Sequence, residues 1–321
     1  MPDRTDPASN SSSQKAHPTS QTIAILTKRS RLLLQIVWHQ GMVTHMKALF
    51  LACSIILLLA QPSLAQKPTT IPYGNNKEVG RFYDIRGFKM YCEVYGTGKP
   101  LLMIHGNGGN MRAFAGIVPY FAAKYQVILA DSRSQGKSKD ADHPLTFEMM
   151  ADDFAALLGA MHIQSAYVIG WSDGGINALL LAMRHPEKVT ALASTGANLW
   201  PGEDAFAPGV WDGMRKQYEK SANHELKTEK EKNSWKLFML DYTEPHIALS
   251  DLHKIQCPSL IICGDHDLIS ITHTVAIFQN IPKAELWVVP NSGHGTLNEH
   301  RDDFDRQVDT FFSTPFRERK H

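Results

Sequence analysis

Apolar residues in this chain gather in short continuous runs. Residues 101–104, 126–130, 166–169, 189–195, 259–263 and 285–289 each read as a strand buried on both faces of a sheet. Between them lie stretches with helical spacing of apolar positions. These are 111–124, a segment opened by Thr146 (Phe147, Met150, Phe154, Leu157, Leu158, Met161), 176–183 and 299–312. The alternation predicts an α/β fold, a mostly parallel sheet with helices on both faces. Residues 82–85 and 89–95, joined at Arg86-Gly87-Phe88, predict an N-terminal hairpin. Residues 199–254 break the alternation. They carry Trp200, Phe206, Trp211, Trp235 and Phe238 and a charged run over 225–236, and read as a helical cap or lid insertion with one solvated face. The expected division is therefore a core of 81–198 and 255–314, the insertion of 199–254, and a Pro-, Thr- and Asn-rich linker over 66–80.

Composition changes this picture mainly at the N-terminus. The chain has 321 residues and a net charge of +1, but residues 1–65 hold six basic residues against two acidic ones. After Ala65 there are 27 basic and 30 acidic residues, a net of −3, which argues against nucleic acid as a partner. Residues 1–22 hold almost nothing to bury, and disorder is expected there. Met46-Lys47, an apolar run from Ala48 to Ala60, and Ser63-Leu64-Ala65 form a secretory signal peptide over 46–65. Cleavage after Ala65 would deliver the protein to the periplasm or the medium, with no lasting membrane insertion. The run is shorter than the roughly 20 residues a membrane span needs, so an uncleaved N-terminal anchor is the second reading. Residues 1–45 are then a disordered extension, or an untranslated stretch ahead of a true start at Met46. The four cysteines show no metal or disulfide spacing.

The chemistry concentrates in Gly170-Trp171-Ser172-Asp173-Gly174-Gly175, between an apolar strand and an apolar helix. A serine on so tight a strand-to-helix turn faces outward, with helix N-terminal amides behind it. A serine hydroxyl needs a base, for which histidine suits, and the base needs an acid to hold its tautomer. The Asp173 N–H, next after the serine, is one oxyanion donor. The Asp173 carboxylate reads as favourable charge at a helix N-terminus, with a bias toward cationic substrates as the rival reading. Asp265-His266-Asp267 could suggest a metal, but no partner cluster accompanies it, so neither metal nor cofactor is expected.

Five motifs in order carry a resemblance: Leu102-Met103-Ile104-His105-Gly106-Asn107-Gly108-Gly109, Asp131-Ser132-Arg133-Ser134-Gln135-Gly136-Lys137-Ser138, the serine turn, Gly264-Asp265-His266-Asp267 and Ser292-Gly293-His294. With them the chain resembles the α/β-hydrolase superfamily from Phe82 to Phe312, and the wording of the serine turn is most similar to the branch of valacyclovir-hydrolase-like esterases. The second motif departs from the family form at Ser134 and Gln135, where Gly and His are usual. The resemblance implies a catalytic triad of Ser172, Asp267 and His294, with Asn107 as the second backbone oxyanion donor. By family position Asp267 is preferred to Asp265, which would serve its own loop, and His105 is structural. The implied activity is hydrolysis of a small-molecule ester, lactone or amide. Alternatives are a cofactor-free C–C hydrolase or perhydrolase on the same fold, and a weakly catalytic ligand-binding protein.

Overall fold

The computed structural model describes residues 71–140 and 144–317. The expected extension, signal peptide and cleavage site lie outside the described residues.

Eight strands form one sheet in the order β1-β2-β4-β3-β5-β6-β7-β8. They are β1 (Arg81–Ile85), β2 (Phe88–Tyr95), β3 (Lys99–Ile104), β4 (Tyr125–Ala130), β5 (Ala166–Trp171), β6 (Val189–Thr195), β7 (Ser259–Gly264) and β8 (Ala284–Val289). From β4 through β8 every pairing is parallel, while β1 and β2 form the antiparallel hairpin that closes one edge. The continuous apolar runs are explained by their two faces. In β3, Leu102 and Ile104 join one core layer and Leu101 and Met103 the other. Successive side chains of a strand point to opposite faces, so a strand covered on both sides can spare no position for a polar residue.

Helices cover both faces. These are α1 (Val118–Ala122), α2 (Phe147–Ala160), α3 (Asp173–Arg184), α4 (Val210–Ser221), α5 (Glu229–Thr243), α6 (Ile271–Asn280), α7 (Thr296–Glu299) and α8 (Arg301–Ser313). Phe147 and Phe154 of α2 and Leu179 of α3 pack in the first layer, and Phe304 and Val308 of α8 in the second. The Thr146 hydroxyl caps α2 by accepting from the Met149 amide.

Three expectations are revised, and one helix was not foreseen. The helix expected over 111–124 is two pieces, a 3-10 turn Met111–Phe114 and α1, because Gly116 and Pro119 interrupt the ladder. Helix α6 was not legible: its run Ile271-Thr272-His273-Thr274-Val275 is rich in β-branched residues of modest helix propensity. Its start is fixed by the Ser270 hydroxyl, which accepts from the His273 amide. The stretch 71–80 is not a free linker. Tyr73 is buried, and the amides of Gly74 and Asn76 donate to the carboxylate of buried Glu93 at 2.8 Å each. Tyr91 and Tyr95 hydroxyls satisfy the same carboxylate at 2.8 and 2.7 Å. Finally, the C-terminal part of the 199–254 insertion belongs to the core. Ile247 and Leu252 are buried there, and the Ile247 amide donates to the Leu199 carbonyl. The projecting part is α4 and α5 with their connections.

Candidate active site

Ser172 follows β5 directly and caps α3. Its φ of 57° and ψ of −122° are costly for a residue with a side chain, on the order of 1–3 kcal/mol. The neighbours that hold it there are close. A Cβ on Gly174 would lie 1.8 Å from the Ile104 carbonyl oxygen, and one on Gly170 would lie 2.1 Å from the Gly174 carbonyl oxygen. Only glycine lets strand, turn and helix approach this closely. The Ser172 amide donates to the Thr195 carbonyl at 2.8 Å, tying the turn to β6.

His294 lies in the loop after β8. Its Nε2 is 2.9 Å from Ser172 Oγ, and its Nδ1 is 2.6 Å from Asp267 Oδ1. Trp171 Nε1 donates to the His294 carbonyl at 2.8 Å. Gly196 at the end of β6 leaves room for the ring, since a Cβ there would stand 2.7 Å from His294 Cε1. Asp267 is buried after β7 and also accepts from the amides of Ile269 at 3.1 Å and Gly264 at 3.3 Å. These donors hold its carboxyl in one orientation. The three residues are therefore brought together from the ends of three parallel strands, where open α/β sheets place their sites. Such a chain can withdraw a proton from the serine, return it to a leaving group and stabilise the imidazolium between those events.

The rival residues have other partners. Asp265 accepts from the amides of Asn291 at 2.8 Å and Ser292 at 3.0 Å, which keep its carboxyl below the usual range. His266 Nδ1 meets the carbonyl of Asp265. His105 is buried; its Nε2 accepts from the Ser132 amide at 3.0 Å and its Nδ1 lies 2.8 Å from the Gly106 carbonyl. Burial lowers its pKa, and the two contacts fit a neutral ring that ties the loops after β3 and β4 together. The unusual Ser134-Gln135 pair is buried in the loop after β4. Arg133 in the same loop is bracketed by Asp153 at 2.6 Å and Asp140 at 3.1 Å and stacks over Phe88. That cluster anchors the loop.

Asn107 and Asp173 flank the serine. The loop holding Asn107 passes beside it, for a Cβ on Gly106 would stand 3.0 Å from Ser172 Cβ. Asp173 is the first residue of α3, so its N–H belongs to the helix-end amides that lack intrahelical partners. Its carboxyl is not a solvated charge at a helix N-terminus, as expected from sequence. It is buried, and burial first, then the nearby Asp241 of α5, raise its pKa well above the usual carboxyl range. Asp241 itself is pushed up to about 6, chiefly by burial. Asn107 Nδ2 donates to Asp241 Oδ1 at 2.9 Å and to the Leu237 carbonyl at 3.0 Å. About two turns before Asp241 on α5, Asn233 Nδ2 donates to the Ser134 carbonyl at 2.9 Å. Sequence reading missed Asp241 and Asn233. No local pattern marks them, because their partners lie in loops far away in sequence.

Comparisons with known proteins bear on the fold. A family model described as alpha/beta hydrolase fold matches residues 99–226, which span β3, the serine turn and α4. A protein of Azorhizobium caulinodans named for carbamate hydrolysis is 36% identical over 36% of this chain and 43% of its own. The chain thus spans under half the length of that relative. A serine hydrolase of Mus musculus is 27% identical over 59% of this chain and 69% of its own. The 2-hydroxy-6-oxo-6-phenylhexa-2,4-dienoate hydrolase of Burkholderia cepacia is 26% identical over 69% of this chain and 90% of its own. Among solved structures, an N-acyl homoserine lactone degrading enzyme superposes with a TM-score of 0.63 at 23% identity, covering 72% of this chain and all of that one. A meta-cleavage product hydrolase of Pseudomonas fluorescens gives 0.60 at 22%, covering 73% of this chain and 98% of that one. At these identities the structural likenesses speak for the fold. The eight-stranded sheet, the family-model match over residues 99–226 and the structural likenesses together show that the chain has the α/β-hydrolase fold.

Proposed function

We propose that the protein is a serine hydrolase of small esters, lactones or amides. The observation that carries this reading is the pair of contacts at His294, 2.9 Å to Ser172 Oγ and 2.6 Å to Asp267 Oδ1. In the proposed reaction Ser172 Oγ attacks the acyl carbon while His294 Nε2 takes its proton. Asp267 holds the Nδ1–H and stabilises the imidazolium. The developing oxyanion lies against the N–H groups of Asn107 and Asp173. His294 then protonates the leaving group, and water releases the acyl group by the same steps in reverse roles.

The projecting helices α4 and α5 act as the lid in this reading. Support comes from the hydrogen bonds of α5 with Asn107 and Ser134, in the loops that end β3 and β4. C–C bond hydrolysis is the second reading, favoured by the relative from Burkholderia cepacia that is matched over 90% of its length. Export through the signal sequence at 46–65 remains part of the proposal, tested by sequencing the mature N-terminus. Among the described residues no helix is long and apolar enough to cross a membrane.

Short p-nitrophenyl esters and 2-hydroxy-6-oxo-6-phenylhexa-2,4-dienoate, assayed side by side, test the activity. The expected outcome is ester turnover that falls at least about 10⁴-fold in Ser172→Ala. Turnover of the dienoate alone would favour the second reading, and ester turnover unchanged in Ser172→Ala would remove Ser172 from the mechanism.

A further inference from the structure

We propose that Asp241, on helix α5 of the insertion, is a positioning residue that fixes both proposed oxyanion donors, through a hydrogen bond from Asn107 and a proton shared with Asp173. The proposal rests on the serine-hydrolase reading above.

The geometry leaves few alternatives. Asn107 Nδ2 donates to Asp241 Oδ1 and to the Leu237 carbonyl. Asp173 Oδ2 is buried and receives no hydrogen bond from a conventional donor. The Asp173 carboxyl faces the carboxyl of Asp241 and the side-chain amide of Asn107. Two carboxyl groups can form a hydrogen bond only if one of them keeps its proton, and two adjacent charges, one of them buried, are disfavoured. The pair therefore holds one proton through neutral pH. The pKa directions agree, with burial raising both groups and Asp173 raised further by Asp241. The other titratable group facing Asp241 is His294, from the loop after β8, which favours the charged form; Asn107, from the loop after β3, supplies the neutral donor.

Three elements thus meet at one carboxyl. Asn107 belongs to the loop after β3, Asp173 opens α3, and Asp241 comes from the insertion. The backbone N–H groups of the first two are the proposed oxyanion donors. Seating α5 therefore sets both donors, and a misplacement of even 1 Å at such donors is expensive in rate. The shared proton limits the pair to a single negative charge beside the place where an oxyanion would form. Loss of that proton at alkaline pH puts a second charge there and sets Asp173 against Asp241, so both α5 seating and oxyanion formation weaken.

The test uses the full chain, with its preferred p-nitrophenyl ester followed from pH 5 to 10 in wild type, Asp241→Ala and Asp241→Asn. Asp241→Asn keeps an acceptor for Asn107 and replaces the shared proton with an amide hydrogen, so the charge of the pair is unchanged. In the expected result Asp241→Ala lowers kcat about 10- to 100-fold with KM changed far less. Asp241→Asn restores kcat to within about threefold at pH 7 and lacks the wild-type alkaline decline, since no shared proton is left to lose. A merely structural role would move thermal unfolding and leave the pH profile alone. If Asp241→Ala does not fold, the Asp241→Asn profile decides. Wild-type kcat and pH profile in both variants, or an unchanged alkaline limb in Asp241→Asn, overturn the proposal while Ser172-dependent turnover stands. Turnover that survives Ser172→Ala in wild-type background instead overturns the serine reading, and the proposal with it.

Discussion

The sheet core and the helical insertion are built on different terms. In the core, alternating side chains of each strand enter two apolar layers, and residues such as Leu101, Leu102, Phe154 and Phe304 are wholly buried. In the insertion, no residue of α4 is buried, and α5 buries only Leu237 and Leu240. What joins α4 and α5 is a row of half-buried aromatic rings. Tyr218 stacks on Tyr242 at 4.6 Å, Trp211 on Tyr242 at 5.1 Å, and Tyr218 on Trp235 at 5.9 Å. Polar bonds from Asn107 and Asn233 connect α5 to the core loops. The core thus supplies a fixed platform for Ser172, His294 and Asp267. Helices α4 and α5 reach the first core layer only through Leu237 and Leu240 of α5, and have the smaller apolar hold.

The largest effect that could break this contrast lies in the platform itself. Asp267→Asn should lower kcat for ester hydrolysis about 10³- to 10⁴-fold, because the amide no longer holds His294 in the productive tautomer. Its circular dichroism should match wild type, since the Gly264 and Ile269 amides use different oxygens of Asp267 and the asparagine still accepts from one of them. A loss below tenfold would shift the acid role away from Asp267.

Next comes a paired stability test. Phe154→Ala removes a fully buried ring and should cost about 3–5 kcal/mol in urea unfolding. Tyr218→Ala removes a half-buried ring of the aromatic row and should cost under about 1.5 kcal/mol, the scale of one aromatic pair, while changing KM and exposing α4 and α5 to limited proteolysis. Equal costs would mean that insertion and core unfold as one unit.

The smallest effect sharpens the picture of the core, which is not fully satisfied. Asp305 of α8 is buried with one carboxyl oxygen unpartnered, and burial first, then Asp302, push its pKa up to about 7. An unfolded carboxyl titrates near 4, so the stability Asp305 contributes is full below about pH 4 and is lost as pH rises toward 7. Asp305→Asn should therefore raise the melting temperature by a few degrees at pH 8, on the order of 1–2 kcal/mol, and not at pH 4. A variant that melts lower at pH 8 would show that the charge is compensated.

The sequence was most legible where one residue type answers one local demand. Strands covered on both faces must be continuously apolar, and the serine turn must have glycine where backbones touch, so β3 to β8 and Ser172 could be read directly. Asp267 and His294 came from the family resemblance, which also preferred Asp267 to Asp265. Helix α6 was hidden by its β-branched residues, and the break at Gly116 and Pro119 by an otherwise helical pattern. The docking of residues 71–80 was invisible because Glu93, which holds it, sits in another element. Asp241 was hidden for the same reason. It stands on a half-exposed helix among apolar and aromatic neighbours, and its meaning comes from Asn107 and Asp173 across the site.

The central claim, that Ser172 is the nucleophile, is tested most directly by a fluorophosphonate probe read by intact mass and peptide mapping. The account predicts one phosphonyl adduct per chain, carried on Ser172 and absent from Ser172→Ala. An adduct on a different residue, or undiminished labelling of Ser172→Ala, would contradict it.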